Sequence, residues 1–241
     1  MKRHIFVILT RKNIIRIAVA FVLVIWAAKF GLYGISACLA TADSLKTRKI
    51  VIDPGHGGID GGANCSDFLE KEVNLAVAKK LRDELNKLGA KVILTREDDI
   101  DLGQLNIIGS TRHERGLNAR VSVIEKNRAD VFLSIHVDAN LRKPSTSGSI
   151  VFYSKTVPSS AKLSKALQYH LNTVLKRHDL KKHTPQTAEF YILRNCSRTG
   201  AIIELGFMTN PREKELLKQD KYQSELVKGI VEGLKEYFTL P

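Results

Sequence analysis

The chain has 241 residues, of which 44% are hydrophobic and 26% are charged, with six prolines and three cysteines. This composition excludes an intrinsically disordered protein and a disulfide scaffold, and it fits one sizeable globular domain. The formal net charge of +13 suits an anionic polymer such as cell wall, membrane surface or nucleic acid, but no basic run interleaved with aromatics favours nucleic acid.

The first 42 residues differ in charge from the rest of the chain. They contain six Lys or Arg and no Asp or Glu, and an apolar run from Ile17 to Ala28 follows the basic part. A buried core helix does not have this asymmetry, which is typical of an export signal or an uncleaved membrane anchor. We therefore predict a signal peptide or anchor at residues 1–42 and an exported, extracytoplasmic domain at residues 43–241.

The sequence does not decide whether the N-terminal segment is cleaved, retained as a membrane anchor or lipidated. The apolar run is long enough to span a bilayer only if Lys29 reaches the interface. "ATA" at residues 40–42 fits a cleavage site. "ISAC" at residues 35–38 resembles a lipoprotein box, which would make Cys38 a lipid carrier.

From Lys49 onward, strand patterns alternate with helix patterns, which predicts one α/β domain with a parallel or mixed sheet. Asp98–Arg112 is polar and irregular. The predicted strands are Lys49–Asp53, Lys91–Thr95, Val131–Val137, Gly148–Tyr153, Tyr191–Leu193 and Ala201–Leu205. The predicted helices are Leu69–Leu88, Glu114–Arg128, Ser159–Arg177 and Pro211–Phe238, the last as one or two helices.

A glycine-rich loop, "IVIDPGHGGIDGGA", follows the first predicted strand and contains His56. A dinucleotide fingerprint would need glycine at Asp60, and a P-loop would need Lys after Gly62, so neither phosphate motif is present. Glycines also permit positive φ and a close approach of other groups. The loop therefore fits either a tight turn with a surface histidine or a ligand site that needs room.

Three further residues stand near the ends of predicted elements. Glu70 would either cap its helix together with Asp67 or act as a ligand. His136 interrupts an apolar strand as either a core histidine or a ligand, and Glu204 is costly to bury unless it is paired or functional. Two histidines and one carboxylate form the ligand set of catalytic Zn²⁺, and Glu204 would be the general base beside it.

Four segments in order, "IVIDPGHGG", "EKEVNLAVAKKL", "ADVFLSIHVDAN" and "AIIELGFMTN", resemble the motifs of zinc-dependent N-acetylmuramoyl-L-alanine amidases of the Amidase_3 type. The likeness covers about Lys49 to Phe238 and is strongest to the spore-cortex germination members. It implies a six-stranded sheet flanked by helices. It also implies Zn²⁺ held by His56, Glu70 and His136, with Glu204 as the catalytic residue.

By this resemblance, zinc-activated water cleaves the amide between the lactyl group of muramic acid and the L-alanine of the stem peptide. In spore members this step leads towards muramic-δ-lactam in cortex peptidoglycan, in the forespore intermembrane or cortex space. The resemblance leaves open an activating protein partner and membrane association through the N-terminal segment. Two departures from the family are Asp138, where Asn is common, and Thr199-Gly200, where Pro often occurs.

Two other functions remain open from sequence: a zinc peptidase that cuts within the stem peptide, and a wall-binding protein without catalysis. His113 is a candidate for substrate contact. Arg115 and Arg120 would either meet peptide carboxylates or form salt bridges on their helix. A bridge between Cys65 and Cys196 is also open.

Overall fold

The computed structural model describes residues 11–12, 16, 19–27, 29, 44–65, 67–104 and 106–239. The chain divides into two compact units, Met1–Ala42 and Asp43–Pro241. In the first unit, residues 19–27 are helical, and most of the predicted signal or anchor, including Cys38 and "ATA", lies outside the described residues. No helix within the described part of the chain has both the length and the apolar character to cross a membrane.

The second unit is built on a six-stranded sheet with the order β4-β1-β5-β8-β6-β7. The four strands β4, β1, β5 and β8 run parallel, while β6 is antiparallel to β8, so the sheet is mixed. A separate pair, β2 and β3, forms a short antiparallel ribbon. The strands are β1 (Lys49–Pro54), β2 (Asn64–Cys65), β3 (Phe68–Leu69), β4 (Lys91–Leu94), β5 (Val131–Asp138), β6 (Ile150–Tyr153), β7 (Gln186–Thr187) and β8 (Gly200–Phe207).

Helices cover both faces of this sheet, as an α/β fold requires. The first, third and sixth helices bury their apolar faces on one side, and the second and fourth on the other. The mixed six-stranded sheet flanked by helices is therefore confirmed. The helices are α1 (Glu70–Lys87), α2 (Arg112–Lys126), α3 (Pro158–Arg177), α4 (Tyr191–Asn195), α5 (Pro211–Leu217) and α6 (Asp220–Thr239).

The central strands β1, β5 and β8 are buried along almost their whole length. Their apolar runs are those expected of strands covered on both faces. Because the three strands are parallel and adjacent, their carboxyl ends meet at one edge of the sheet, where His136 of β5 lies opposite Glu204 of β8. This edge is where an open α/β sheet places its ligands.

Two local predictions from sequence are wrong. Tyr191–Leu193, predicted as a strand, begins helix α4, in which Arg194 N–H donates to the Phe190 carbonyl at 3.0 Å. Ile192 and Leu193 are both buried, so the alternation of a half-buried strand is absent. Helix α2 begins at Arg112 rather than Glu114.

The earlier start of α2 has a simple cause. The Thr111 hydroxyl accepts from the Glu114 backbone N–H, while the Glu114 carboxylate accepts from the Thr111 backbone, which is a complete capping box. Elsewhere, Cys196 carries a free and buried thiol, so it forms no disulfide in the structure.

Glu213 of helix α5 is a fully buried carboxyl that ties this helix to the sheet. It accepts hydrogen bonds from the backbone N–H of Phe207 at 2.9 Å and of Gly148 at 2.8 Å. A side chain at Gly206 would collide with it, since an added Cβ would lie 2.6 Å from the carboxyl carbon. Burial raises the pKa of Glu213 to about 7 despite these hydrogen bonds.

This pKa predicts a pH-dependent stability. The folded state holds the Glu213 proton at a higher pH than the unfolded state, whose pKa is near 4.5, so stability is full below that value and falls as pH rises towards 7. The side chain in Glu213→Gln cannot ionise, so the free energy of unfolding of this variant should not fall in this way. For the full pKa shift, the fall in the wild-type protein amounts to ~3 kcal/mol. Urea unfolding of both proteins at pH 5 and pH 8 measures the difference. Equal pH dependence in the two proteins would contradict the assignment.

Candidate metal centre and active site

Three side chains that the sequence assigned to a metal lie together at the carboxyl edge of the sheet. The metal-binding atoms of His56, Glu70 and His136 all lie within 4.8 Å of one another. His56 follows strand β1, Glu70 is the first residue of helix α1, and His136 is near the end of β5. The three residues come from separate elements, so the cluster exists only in the folded chain.

Glu70 is not a helix cap. The N-cap position of α1 is Leu69, and it makes no side-chain cap hydrogen bond, so the capping box with Asp67 is not formed. Glu70 Oε1 instead lies 2.9 Å from His136 Nδ1 and 3.2 Å from His56 Nε2, while Oε2 accepts from the Ala63 backbone N–H at 2.8 Å. Burial alone would raise the pKa of Glu70, but the two histidines outweigh it and lower the pKa.

The second nitrogen of His56 fixes the orientation of its ring. His56 Nδ1 lies 2.9 Å from Asp60 Oδ2, and this contact leaves Nε2 directed at Glu70. Burial alone would lower the pKa of His56, but Glu70 and Asp60 raise it. A histidine held by a carboxylate in this way is the usual arrangement around a metal ligand.

The glycines of the loop leave space for these side chains. A Cβ at Gly55 would overlap the His136 imidazole, and one at Gly62 would overlap the Glu70 carboxylate. Gly62 also has φ of 69°, which other residues seldom adopt. His56 itself has φ of 60°, so the backbone turns sharply at the residue that carries the imidazole.

The donor set of this cluster fits a transition metal. Two imidazole nitrogens and one carboxylate are the donors that zinc takes in catalytic sites, where a fourth position stays open. The exposed fractions of the His56 and His136 side chains are 24% and 23%, so both rings keep access to solvent. These three residues therefore suit a catalytic metal better than a closed structural one.

Glu204 lies beside this cluster on the neighbouring strand. It is in register with His136, so both side chains point to the same face of the sheet. Its Oε2 atom is buried and accepts no hydrogen bond from the described residues. Burial raises the pKa of Glu204 well above its usual value, and the negative charges of Asp138 and Glu70 add to the effect. Such a carboxyl is suited to proton transfer near neutral pH.

Asp138, the departure noted in the sequence, is two residues beyond His136 at the end of β5. Its Oδ1 accepts from the Ala139 backbone N–H at 2.7 Å. Burial raises the pKa of Asp138, and the charge of Glu70 acts in the same direction. The residue therefore adds an acidic group to the same edge as Glu204.

Arg120 is buried and forms an internal ion pair rather than the predicted salt bridge on the surface of its helix. It pairs with the fully buried Asp53 and donates to the His56 carbonyl at 2.7 Å. Asp53 also accepts from the hydroxyls of Thr95 and Ser134. Burial alone would raise the pKa of Asp53, but the charge of Arg120 and these hydroxyls lower it. Sequence reasoning missed Asp53, although an acid inside an apolar strand was the available signal.

A second buried arginine holds the same loop. Arg96, two residues beyond the end of β4, donates to the carbonyls of Pro54 at 3.0 Å, Gly55 at 2.9 Å and Lys71 at 3.0 Å. It thereby joins the glycine loop to helix α1, which carries Glu70. Arg96 and Arg120 together fix the loop backbone from Pro54 to His56.

A cavity of about 750 Å³ opens beside the cluster on the α2 face of the sheet. His56, His136, His113 and Tyr191 are among the residues that line it. The exposed side chains of Ile59 and Phe190 stand at its wall. His113 thus stays a candidate for substrate contact, whereas Arg115 donates to the Gly103 carbonyl at 3.1 Å.

Comparison with known proteins assigns this chain to one family. The family model described as N-acetylmuramoyl-L-alanine amidase (Amidase_3) matches residues 50–236. The chain belongs to this family, whose members hydrolyse an amide of peptidoglycan, and it is therefore an amidase.

Individual relatives give the same class. The germination-specific N-acetylmuramoyl-L-alanine amidase of Bacillus subtilis is 38% identical over 196 residues, which cover 81% of each chain. The CwlD amidase from Clostridioides difficile, solved in complex with the GerS lipoprotein, has a TM-score of 0.71 and 31% identity over 79% of this chain and 98% of that one. An N-acetylmuramoyl-L-alanine amidase from Clostridium difficile 630 has a TM-score of 0.68 and 30% identity, over 80% and 97% of the two chains.

The buried pair of Asp53 and Arg120 predicts a large loss of stability when only one partner is removed. Arg120→Met leaves the Asp53 carboxylate buried and unpaired, which should lower the free energy of unfolding by about 3–5 kcal/mol. Adding Asp53→Asn to this variant should restore part of the lost free energy of unfolding. Arg115→Met on the same helix is the matched control, expected to cost about 1 kcal/mol. Urea unfolding measures all four proteins, and equal losses for the two single arginine variants would refute the role of the pair.

Proposed function

We propose that this amidase is zinc-dependent, that His56, Glu70 and His136 hold the metal, and that Glu204 is the catalytic residue. The bond cleaved is the amide between the lactyl group of muramic acid and the L-alanine of the stem peptide. The observation that carries the proposal is the convergence of two imidazoles and a carboxylate close to Glu204, whose buried Oε2 has no hydrogen-bond donor among the described residues. The two imidazoles also line a cavity.

The residues divide the chemistry between them. A bound zinc ion would polarise the amide carbonyl and lower the pKa of water. Glu204 takes a proton from the attacking water and returns it to the leaving amine, for which its raised pKa is suited. Asp60 holds the His56 ring through Nδ1, and Arg120 holds the His56 backbone.

The biological setting is a proposal from relatives and from the N-terminal composition. Since the relative from Bacillus subtilis is named germination-specific, we propose that this chain acts on cortex peptidoglycan, towards muramic-δ-lactam. Its domain at 43–241 would act outside the cytoplasm, with residues 1–42 as signal or anchor. The structure of CwlD with the GerS lipoprotein supports the proposal of a protein partner for this chain as well.

The role of Glu204 is tested by an isosteric change. Glu204→Gln removes the proton acceptor but keeps the side-chain volume, so kcat should fall by about 100-fold to 10,000-fold while zinc content stays at the wild-type level. Mass spectrometry of digested peptidoglycan identifies the products. Glycan with bare lactyl groups indicates an amidase, and shortened peptides still on glycan indicate a peptidase. Wild-type turnover by the variant would remove Glu204 from the mechanism.

The metal ligands are tested at His56. His56→Asn suits the positive φ at this position better than alanine does and should lose both bound zinc and activity, because an amide is a poor zinc ligand. Zinc is quantified after dialysis, and wild-type activity is followed with and without a chelator. His183→Asn is the matched control, since His183 contacts the Ser147 carbonyl outside the cluster. Full zinc content in His56→Asn would contradict the ligand assignment.

A further inference from the structure

The positive charge of the second unit is concentrated in one stretch of chain. Residues 139–188 contain nine Lys or Arg and a single acid, Asp179. The rest of residues 43–241 contains 23 basic and 24 acidic residues, so it is nearly neutral. An even spread of solvated surface charges does not produce this distribution, which indicates a surface built for an anionic partner.

Part of this charge lies at the same edge of the sheet as the metal cluster. The loop at residues 139–149 leaves the end of β5 directly beyond His136 and leads into β6, whose first residue, Ile150, pairs with Glu204. Adjacent strands are about 4.8 Å apart, so His136, Glu204 and Ile150 span about 10 Å. We define the basic rim as Arg142, Lys143, Lys181 and Lys182.

Backbone contacts hold the two halves of the basic rim against each other. The Lys181 backbone N–H donates to the Ser147 hydroxyl at 3.4 Å, and His183 Nε2 lies 2.8 Å from the Ser147 carbonyl. Asn172 of α3 brackets His183, accepting from its N–H at 3.1 Å and donating to its carbonyl at 2.8 Å. The buried Glu213 fixes Gly148 in turn. The rim is therefore held in place at several points.

The side chains of the basic rim are exposed. Among the described residues, none of the four has an ion-pair partner within 4.0 Å, and the nearby Asp179 lies 4.0 Å from Arg212 instead. Four positive groups at one edge thus face solvent without internal neutralisation. A ligand with several spaced carboxylates would complement them.

We propose that the basic rim binds carboxylates of uncut stem peptides on the same peptidoglycan strand whose amide lies at the metal centre. This inference rests on the proposed function, because the cluster beside Glu204 brings that polymer to this edge. His136 lines the cavity, and the loop that carries Arg142 and Lys143 of the rim begins at the end of the same strand. A strand lying across the edge would contact both, and its neighbouring peptides supply the negative charges.

The test measures binding without turnover. Full-length Glu204→Gln protein is sedimented with purified peptidoglycan stripped of phosphodiester polymers, at increasing salt. The rim variant combines Glu204→Gln with four further changes: Arg142→Gln, Lys143→Gln, Lys181→Gln and Lys182→Gln. We expect it to bind peptidoglycan about tenfold more weakly at low salt and to show a smaller salt dependence of binding. The matched control removes one arginine and three lysines near the opposite edge of the sheet: Lys87→Gln, Lys91→Gln, Lys126→Gln and Arg128→Gln. It should bind as the parent does.

Amidation of the peptidoglycan carboxylates identifies the ligand, since it should abolish the difference between rim and control variants. An equal loss of peptidoglycan binding in the rim and control variants would overturn the proposal. A weaker binding of the rim variant that appears only on walls retaining phosphodiester polymers would overturn it as well. Thermal unfolding of each variant confirms that it is folded. The proposed function fails separately: wild-type protein that leaves no bare lactyl groups on glycan refutes it, while the sedimentation result can still be interpreted.

Discussion

The buried carboxylate of Asp53 organises the carboxyl edge of the sheet. It ends an apolar strand, so it must be neutralised inside the protein, and it is paired with Arg120 and bonded to the hydroxyls of Thr95 and Ser134. Arg120 comes from helix α2, Ser134 from β5, and Thr95 from the position directly after β4. The same guanidinium then reaches the His56 carbonyl. Burial of one charge thereby fixes the position of the loop that carries the first imidazole.

The other buried polar groups of the site are held in place by hydrogen bonds. Glu70 would be costly to bury alone, yet its carboxylate accepts from backbone N–H groups and faces two imidazoles. Glycine at positions 55 and 62 leaves the space that these side chains occupy. Glu204 is the exception, since its buried Oε2 has no hydrogen-bond partner among the residues that the structure describes. A group of this kind is expensive to keep and is consistent with a catalytic role.

Much of the fold could be read from the sequence because buried parallel strands have a simple pattern. The runs around Val51, Phe132 and Ile202 are apolar without alternation, and the predicted mixed sheet is confirmed. The segment at Tyr191 is different: three apolar residues have no period, so only the packing of Ile192 and Leu193 against the sheet selects a helix. Local hydrogen bonds between Thr111 and Glu114 likewise set the start of α2.

The sequence by itself determined the four chemical groups of the candidate site, because His56, Glu70, His136 and Glu204 stand in recognisable motifs. It also determined the class of enzyme. Only the tertiary structure decided that Arg120 is an internal support, and that the loop at residues 139–149 starts from the edge of the sheet that carries the metal cluster. The physical reason is that strand register and burial set which side chains meet. Residues 53 and 120 are far apart in the chain, and no local pattern encodes their contact.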